Sequence, residues 1–255
     1  MTHLLLLVMP VVLLLAQLVF IHLGQRYRRL AHDSASNAAV APIVSTVLSL
    51  MGLVLAFSFA NAATRLDANR KSILEEANAI EGAWKLIDVA EPDVRPQMSD
   101  LLRRYVDARI RAYETYEERV GIAEYDRELQ VSAALFEQLW SVGIEGTHDT
   151  VSRGLILNAL SRLRDTATAR SLTMNTHLPP AIHVFLFGIV LVGALLVGGA
   201  LAGARRALWF YRIVIAAILS WTLYAIMDME YPRLGAFQLL RNADALLVEL
   251  RKSMY

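Results

Sequence analysis

Cysteine is absent from these 255 residues, so the chain has no disulfide framework, no thiolate metal site and no cysteine nucleophile. Histidine is sparse: six residues lie scattered, no two of them at the i,i+4 spacing of a helical metal site. His177 and His183 flank Pro179-Pro180 but do not share a helix face, which favours a structural or interfacial role. No glycine-rich phosphate loop, nucleophile elbow or Ser/His/Asp order is present, so neither an enzyme nor a bound cofactor is expected. Net charge is only +1, and no basic stripe of the kind that binds nucleic acid occurs. No segment alternates with period two for long enough to form a strand, which leaves an all-α fold.

Charge is also missing, locally, from four long stretches. The first runs from about Leu4 to Leu23. The second lies inside Ser34 to Thr64 and the third inside Ser171 to Ala204; the fourth spans roughly Ala207 to Met227 with Arg212 as its only charge. A hydrocarbon core about 30 Å thick needs ~20 apolar residues in a helix, and each stretch supplies them. The chain is therefore expected to cross a bilayer four times. The first stretch is too long for a signal-peptide core, no Lys or Arg precedes it, and Arg26, Arg28 and Arg29 follow it directly, so it is expected to be retained as a span. Arg212 is expected to snorkel back toward Arg205 and Arg206, with Trp209 and Tyr211 as an interfacial belt. The third stretch is rich in small residues (Gly188, Gly193, Ala194, Gly198, Gly199), which lets helices approach closely in lipid.

Between the second and third stretches the composition changes. From Arg65 to Arg170 there are 15 basic and 19 acidic residues, a balance of −4, and the remainder of the chain is +5. The second apolar run has no stop at Thr64. Its pattern continues through Ile73, Ala77, Ile80, Trp84 and Ile87 to the break at Glu91-Pro92-Asp93, as one helix. Further helices are predicted over 96–120 (inner face Met98, Leu101, Leu102, Tyr105, Val106, Tyr113), 124–142 (Leu129, Phe136, Leu139, Trp140) and 150–175 (Ile156, Leu160, Leu163, Ala167). Gly143 to Thr147 is predicted as a loop, with Thr147 or Asp149 as the next N-cap. Ile73, Ile80 and Trp84 are expected to be buried against Leu101, Tyr105 and Leu160. Glu75, Glu76 and the Glu114, Glu117, Glu118 run lack Ca²⁺-loop spacing and are interleaved with Arg109, Arg111 and Arg119, so a solvated or ion-paired helix face is expected. A last helix carries Phe237, Leu240, Leu247 and Leu250. The organisation expected is 1–64 for spans one and two, 65–176 for a helical bundle, 177–228 for spans three and four, and 229–255 for an amphipathic tail.

The second span has two distinct arcs. Ser45, Ser49, Gly52, Ala56, Phe59, Ala60 and Ala63 form one, mostly small; Leu50, Val54, Phe57, Ser58, Asn61 and Arg65 lie on the other side. Either the small arc packs on neighbouring helices while the bulky arc faces lipid, or the bulky arc lines an axial pathway in an oligomer. Asn61 and Arg65 support the second alternative, because an amide and a guanidinium are costly against lipid.

The stretch Gly52-Leu53-Val54-Leu55-Ala56-Phe57-Ser58-Phe59-Ala60-Asn61-Ala62-Ala63-Thr64-Arg65-Leu66-Asp67 resembles the second membrane helix and exit of bestrophin-type proteins. Ile73-Leu74-Glu75-Glu76-Ala77-Asn78-Ala79-Ile80 is similar to the bacterial bestrophin-like domain proteins. Asp228-Met229-Glu230-Tyr231-Pro232-Arg233-Leu234-Gly235 is similar to that family's C-terminal signature. The resemblance implies an oligomer, five-fold if bestrophin-like, in the bacterial inner membrane. It implies an anion-conducting pore lined by Leu50, Val54, Phe57, Ser58, Asn61 and Arg65, with Val54 and Phe57 at an apolar neck and Asn61 and Arg65 at a polar mouth. Its partners would be the lipid bilayer, copies of itself and small anions. Leu66, Asp67 and Ala68 stand where true bestrophins carry an aromatic pair, and the acidic calcium clasp is not evident after the fourth span, so Ca²⁺ gating is not carried over. The alternative is a non-conducting sensor or scaffold whose bundle binds a partner. Arg26, Arg28, Arg29, Arg205 and Arg206 place their loops in the cytoplasm and the bundle outside by the positive-inside rule; bestrophin-type topology implies the opposite. Four being even, the termini and the bundle share one side.

Overall fold

The computed structural model describes residues 2–30, 37–118, 122–175, 178–202, 209–232 and 239–254. Among them the fold is all α, with eight α-helices: α1 Thr2–Leu30, α2 Asn37–Leu86, α3 Arg95–Glu118, α4 Ile122–Glu145, α5 Thr150–Asn175, α6 Pro180–Ala200, α7 Trp209–Glu230 and α8 Arg241–Ser253. α1, α2, α6 and α7 are long and apolar enough to span a bilayer. The predicted continuity past Thr64 is realised as one 50-residue helix, closed by a 3₁₀ turn at Ile87–Val89 ahead of Pro92. The chain divides into two compact units, residues 1–66 with 177–239 and residues 67–176 with 240–255; α2 contributes to both.

In the first unit, Leu13 of α1, Met51, Leu55 and Ala62 of α2, Leu186 and Val190 of α6, and Leu223 and Ile226 of α7 form one core. Lipid is as apolar as these side chains, so their association depends on close packing and polar pairing more than on the hydrophobic effect. Gly24 and Gly198 supply the packing. A Cβ on Gly198 would overlap the carbonyl of Ile21, and one on Gly24 would overlap the carbonyl of Leu195. This is the close approach anticipated from the small residues of α6, but Gly188 takes no part, since nothing lies within 4 Å of its missing Cβ. Polar pairing joins α1 to α7, where buried Gln17 donates through Nε2 to Ser220 Oγ at 2.9 Å.

In the second unit, Ile80 and Ala83 of α2, Met98, Leu102, Tyr105 and Val106 of α3, Phe136 and Leu139 of α4, and Ile156, Leu160 and Leu163 of α5 share the main core. Leu101 and Tyr113 join it as expected, and Ile73 is buried. Trp84 is only half-buried at the core's edge, where the Arg103 guanidinium lies 5.1 Å from its ring centre. The predicted loop at Gly143 is instead the end of α4, which continues to Glu145. A Cβ at Gly143 would meet Ile156, Leu160 and Met98 at ordinary contact distances of 3.4–3.7 Å, so neither a turn nor close packing requires glycine there; Gly146, where a Cβ would overlap the Val94 side chain, is the crowded one. Asp149 is the N-cap of α5, accepting the Ser152 N–H at 2.7 Å. α8 docks on α3 through Leu247 and Met254, a two-pronged Arg251–Asp107 pair at 2.7 and 2.9 Å, and the Arg103 Nε bond to the Met254 carbonyl. The expectations for Phe237, for the helix stop at Gly121 and for Arg205 and Arg206 lie outside the described residues.

The glycine geometry gives a paired test. Gly198→Ala forces α1 and α6 apart and should cost ~1–3 kcal/mol, seen as a lowered melting temperature in detergent. Gly188→Ala should leave the melting temperature unchanged.

Candidate functional site

α2 turns inward a stripe that belongs to neither of the two predicted arcs, while Leu50, Leu53, Phe57 and Phe59 stay exposed. Val44, Met51, Leu55, Ala62 and Leu66 are buried, and Leu48 and Val54 pack against the core they help to form. The small arc therefore does not pack on helices of its own chain. Ser45, Ser49, Gly52, Ala56, Phe59 and Ala60 are exposed, and no atom lies within 4 Å of where a Gly52 Cβ would stand. The fit is steric: Met51 and Leu48 fill the space over Gly193 of α6. Of its most apolar stretch α2 has only 17% buried inside the chain, against 28%, 33% and 28% for the other spans.

The candidate pore-lining residues, on the other side of α2 from the small arc, separate by exposure. Leu50, Phe57 and Asn61 are exposed together, Phe57 by 62%. Val54, Ser58 and Arg65 are half-buried at the edge nearest the core. The hydroxyls on the outward side satisfy themselves, as Ser45 and Thr46 bond back to the Pro42 carbonyl and Thr64 to that of Ala60. Asn61, by its chemistry, does not belong in lipid.

Arg65 is tied down. Its Nε and Nη2 both reach Glu230 Oε2 at 2.7 Å, and the backbone N–H of Leu178 donates to Glu230 Oε1 at 2.6 Å. Glu230 thus joins the exit of α2, the end of α7 and the entry of α6. Two residues earlier, the Tyr224 hydroxyl donates to buried Asp228 at 3.1 Å. The acidic pair of the Asp228–Gly235 segment therefore serves inward contacts, which its sequence similarity alone did not reveal.

A second charged cluster was not anticipated as a buried one. Glu75 is exposed and near Lys71, as a solvated helix face requires, but Glu76 beside it has no exposure at all. It lies in the charged part of α2 beyond Thr64. Arg109 of α3 bonds its Oε1 at 2.7 Å, Arg170 of α5 bonds its Oε2, and the Tyr113 hydroxyl donates to Oε2 at 3.0 Å. The Arg170 guanidinium also lies 3.5 Å from the Tyr113 ring centre. Burial pushes the Glu76 carboxyl up, but the two guanidiniums more than reverse this and hold it below the ordinary carboxylate range. Burial and the Glu76 charge push the Tyr113 hydroxyl well up. The carboxylate stays ionised near neutrality with both oxygens engaged, so the cluster fastens three helices and is ill suited to proton transfer. Among the described residues no group of three or more His, Asp or Glu is placed to hold a metal.

A family model for the Bestrophin-like domain matches residues 11–243. Solved structures share the fold. One, described as a membrane protein variant, superposes with a TM-score of 0.68 at 16% identity, covering 98% of this chain and 97% of its own. A point variant of a bacterial bestrophin homologue from Klebsiella pneumoniae gives 0.68 at 16% identity over 98% of both chains. Another variant of that homologue gives 0.65 at 18% identity over 98% of this chain and 97% of its own. No curated protein matches in sequence.

Glu76→Gln leaves two buried guanidiniums without their carboxylate and should cost ~3–5 kcal/mol at neutral pH. Because the folded value is depressed, Glu76 contributes fully above the ordinary 4.5 and loses that contribution as pH falls through the folded value. Thermal unfolding across pH should show the gap between wild type and Glu76→Gln narrowing in acid; a constant gap would contradict the assignment.

Proposed function

Because the chain belongs to the bestrophin-like family, we propose that it is the subunit of an oligomeric anion channel of the bacterial inner membrane, lined by α2. The observation that carries this reading is the outward placement of α2's polar and small residues. In a lone copy, Asn61 would be pressed against hydrocarbon or the interface, at a cost of some kcal/mol for its unsatisfied amide. Further copies, five if the family resemblance holds for assembly, cover the small arc by close helix packing. That leaves Leu50, Phe57 and Asn61 toward an axis, with Val54, Ser58 and Arg65 at its margin. Phe57 with Val54 forms an apolar constriction from which water withdraws, and Arg65 stands at the mouth where anions gather.

A second reading, a non-conducting sensor or scaffold, is favoured by an open groove of about 590 Å³ between α2 and α5 in the second unit. Glu75, Asn78, Gly82, Asn158 and Arg162 are among its lining residues, a mixed polar surface suited to a ligand or partner.

Flux in proteoliposomes distinguishes the two. Val54→Ala/Phe57→Ala widens and wets the constriction, and each ~1.4 kcal/mol taken off the barrier raises flux about tenfold. If wild type and the double variant both stay non-conducting as intact oligomers, the sensor or scaffold reading replaces the channel.

A further inference from the structure

The mouth residue Arg65 has a counter-charge that changes what it does. Its side chain is 29% exposed and its guanidinium meets Glu230, whose side chain is 2% exposed. Burial holds the carboxylate at one distance from Arg65, unlike a mobile surface counter-ion. The other oxygen is fixed as well. It accepts the N–H of Leu178, the last backbone donor before Pro179 and Pro180, which have none to offer. Glu230 is therefore a built-in negative charge, anchored at both oxygens and placed 2.7 Å from the group that would attract anions. At that separation the pair presents a dipole, with formal charge zero, instead of a lone cation.

We infer that Glu230 is a specificity-determining residue: by pairing with Arg65 it sets how strongly the mouth prefers anions over cations. The inference rests on the reading of α2 as a pore. Two neighbouring charges then act in opposition. Removing Glu230's charge strengthens the positive potential at the mouth, and removing Arg65's charge leaves a buried carboxylate that favours cations. Removing both returns the mouth to neutrality. A purely structural latch would not behave this way: losing one partner would strand a buried charge and lower stability, and losing both would restore much of it, but the permeability ratio would not move in opposite directions for the two single variants.

The test measures reversal potentials in a KCl gradient across proteoliposomes for wild type, Glu230→Gln, Arg65→Gln and the double variant, each checked for oligomer integrity. Gln at 230 keeps an oxygen for the Leu178 N–H. The expected result is an anion-to-cation permeability ratio raised several-fold by Glu230→Gln, lowered several-fold by Arg65→Gln, and close to wild type in the double variant. Should Glu230→Gln fail to assemble, the comparison of Arg65→Gln with the double variant decides: adding the second change must move the ratio toward anions. Conducting variants with unchanged ratios would overturn the role of Glu230 and leave the pore intact. Absence of flux in wild type and in Val54→Ala/Phe57→Ala would overturn the pore reading and this inference with it.

Discussion

Inside a bilayer no water is at hand to satisfy a polar group, and the first unit is arranged around that constraint. Gln17 finds Ser220, and Ser45, Thr46 and Thr64 return their hydroxyls to carbonyls of α2 itself. Arg65 finds Glu230, and Glu230 finds the Leu178 N–H. Asn61 is turned outward instead. α2 buries Met51 and Leu55 within its own chain and leaves Asn61, its small residues and Leu50 and Phe57 outward, the arrangement on which the proposed pore rests. The exposed apolar residues of α1, such as Val11, Val12 and Leu15, are by contrast the ordinary surface of a lipid-facing span.

The second unit solves a different problem. Its core is apolar and helical, yet it encloses Glu76, Arg109 and Arg170, with formal charges that do not cancel. Buried ion clusters are seldom more stabilising than an apolar core of equal volume, and removing one member is costly. Their effect here is on register. Three charges on α2, α3 and α5 meet through directional bonds, so a slip of one helix by a turn would strand a guanidinium in the core. The Tyr113 ring and hydroxyl and the Ala167 carbonyl complete the enclosure.

Much of this was legible in the residues. Uncharged length located the four spans, and three-four spacing located Met98, Leu102, Tyr105, Leu139, Leu160 and Leu163 in the core, because burial of a helix stripe needs only periodicity. What stayed hidden was which side of α2 faces its own chain. Neither predicted arc of α2 is its inner face: Val44, Met51, Leu55, Ala62 and Leu66 form a stripe between them, and Met51 filling the space over Gly193 is a matter of fit, not of pattern. Glu76 and Glu75 are adjacent and chemically alike, so only the positions of Arg109 and Arg170 separate the buried one from the exposed one. Glu230 could have been found. It and Asp228 are the only acidic residues from Ser171 to Arg241, and spans two and four end on the same side, which brings an acid toward Arg65. Trp84 and Gly143 were misplaced for local reasons: Arg103 caps the indole at the core's edge, and a helix can run through a single glycine, as α4 does on its way to Glu145.

The central claim, that the open face of α2 converges on an axis between copies, is tested most directly by cross-linking. The absence of cysteine makes a single introduced thiol unambiguous. Phe57→Cys, oxidised in native membranes, should give covalent dimers, whereas Val12→Cys on the exposed side of α1 should give few. Cross-links through Val12→Cys but none through Phe57→Cys would contradict the account, because α1 and not α2 would then lie between copies.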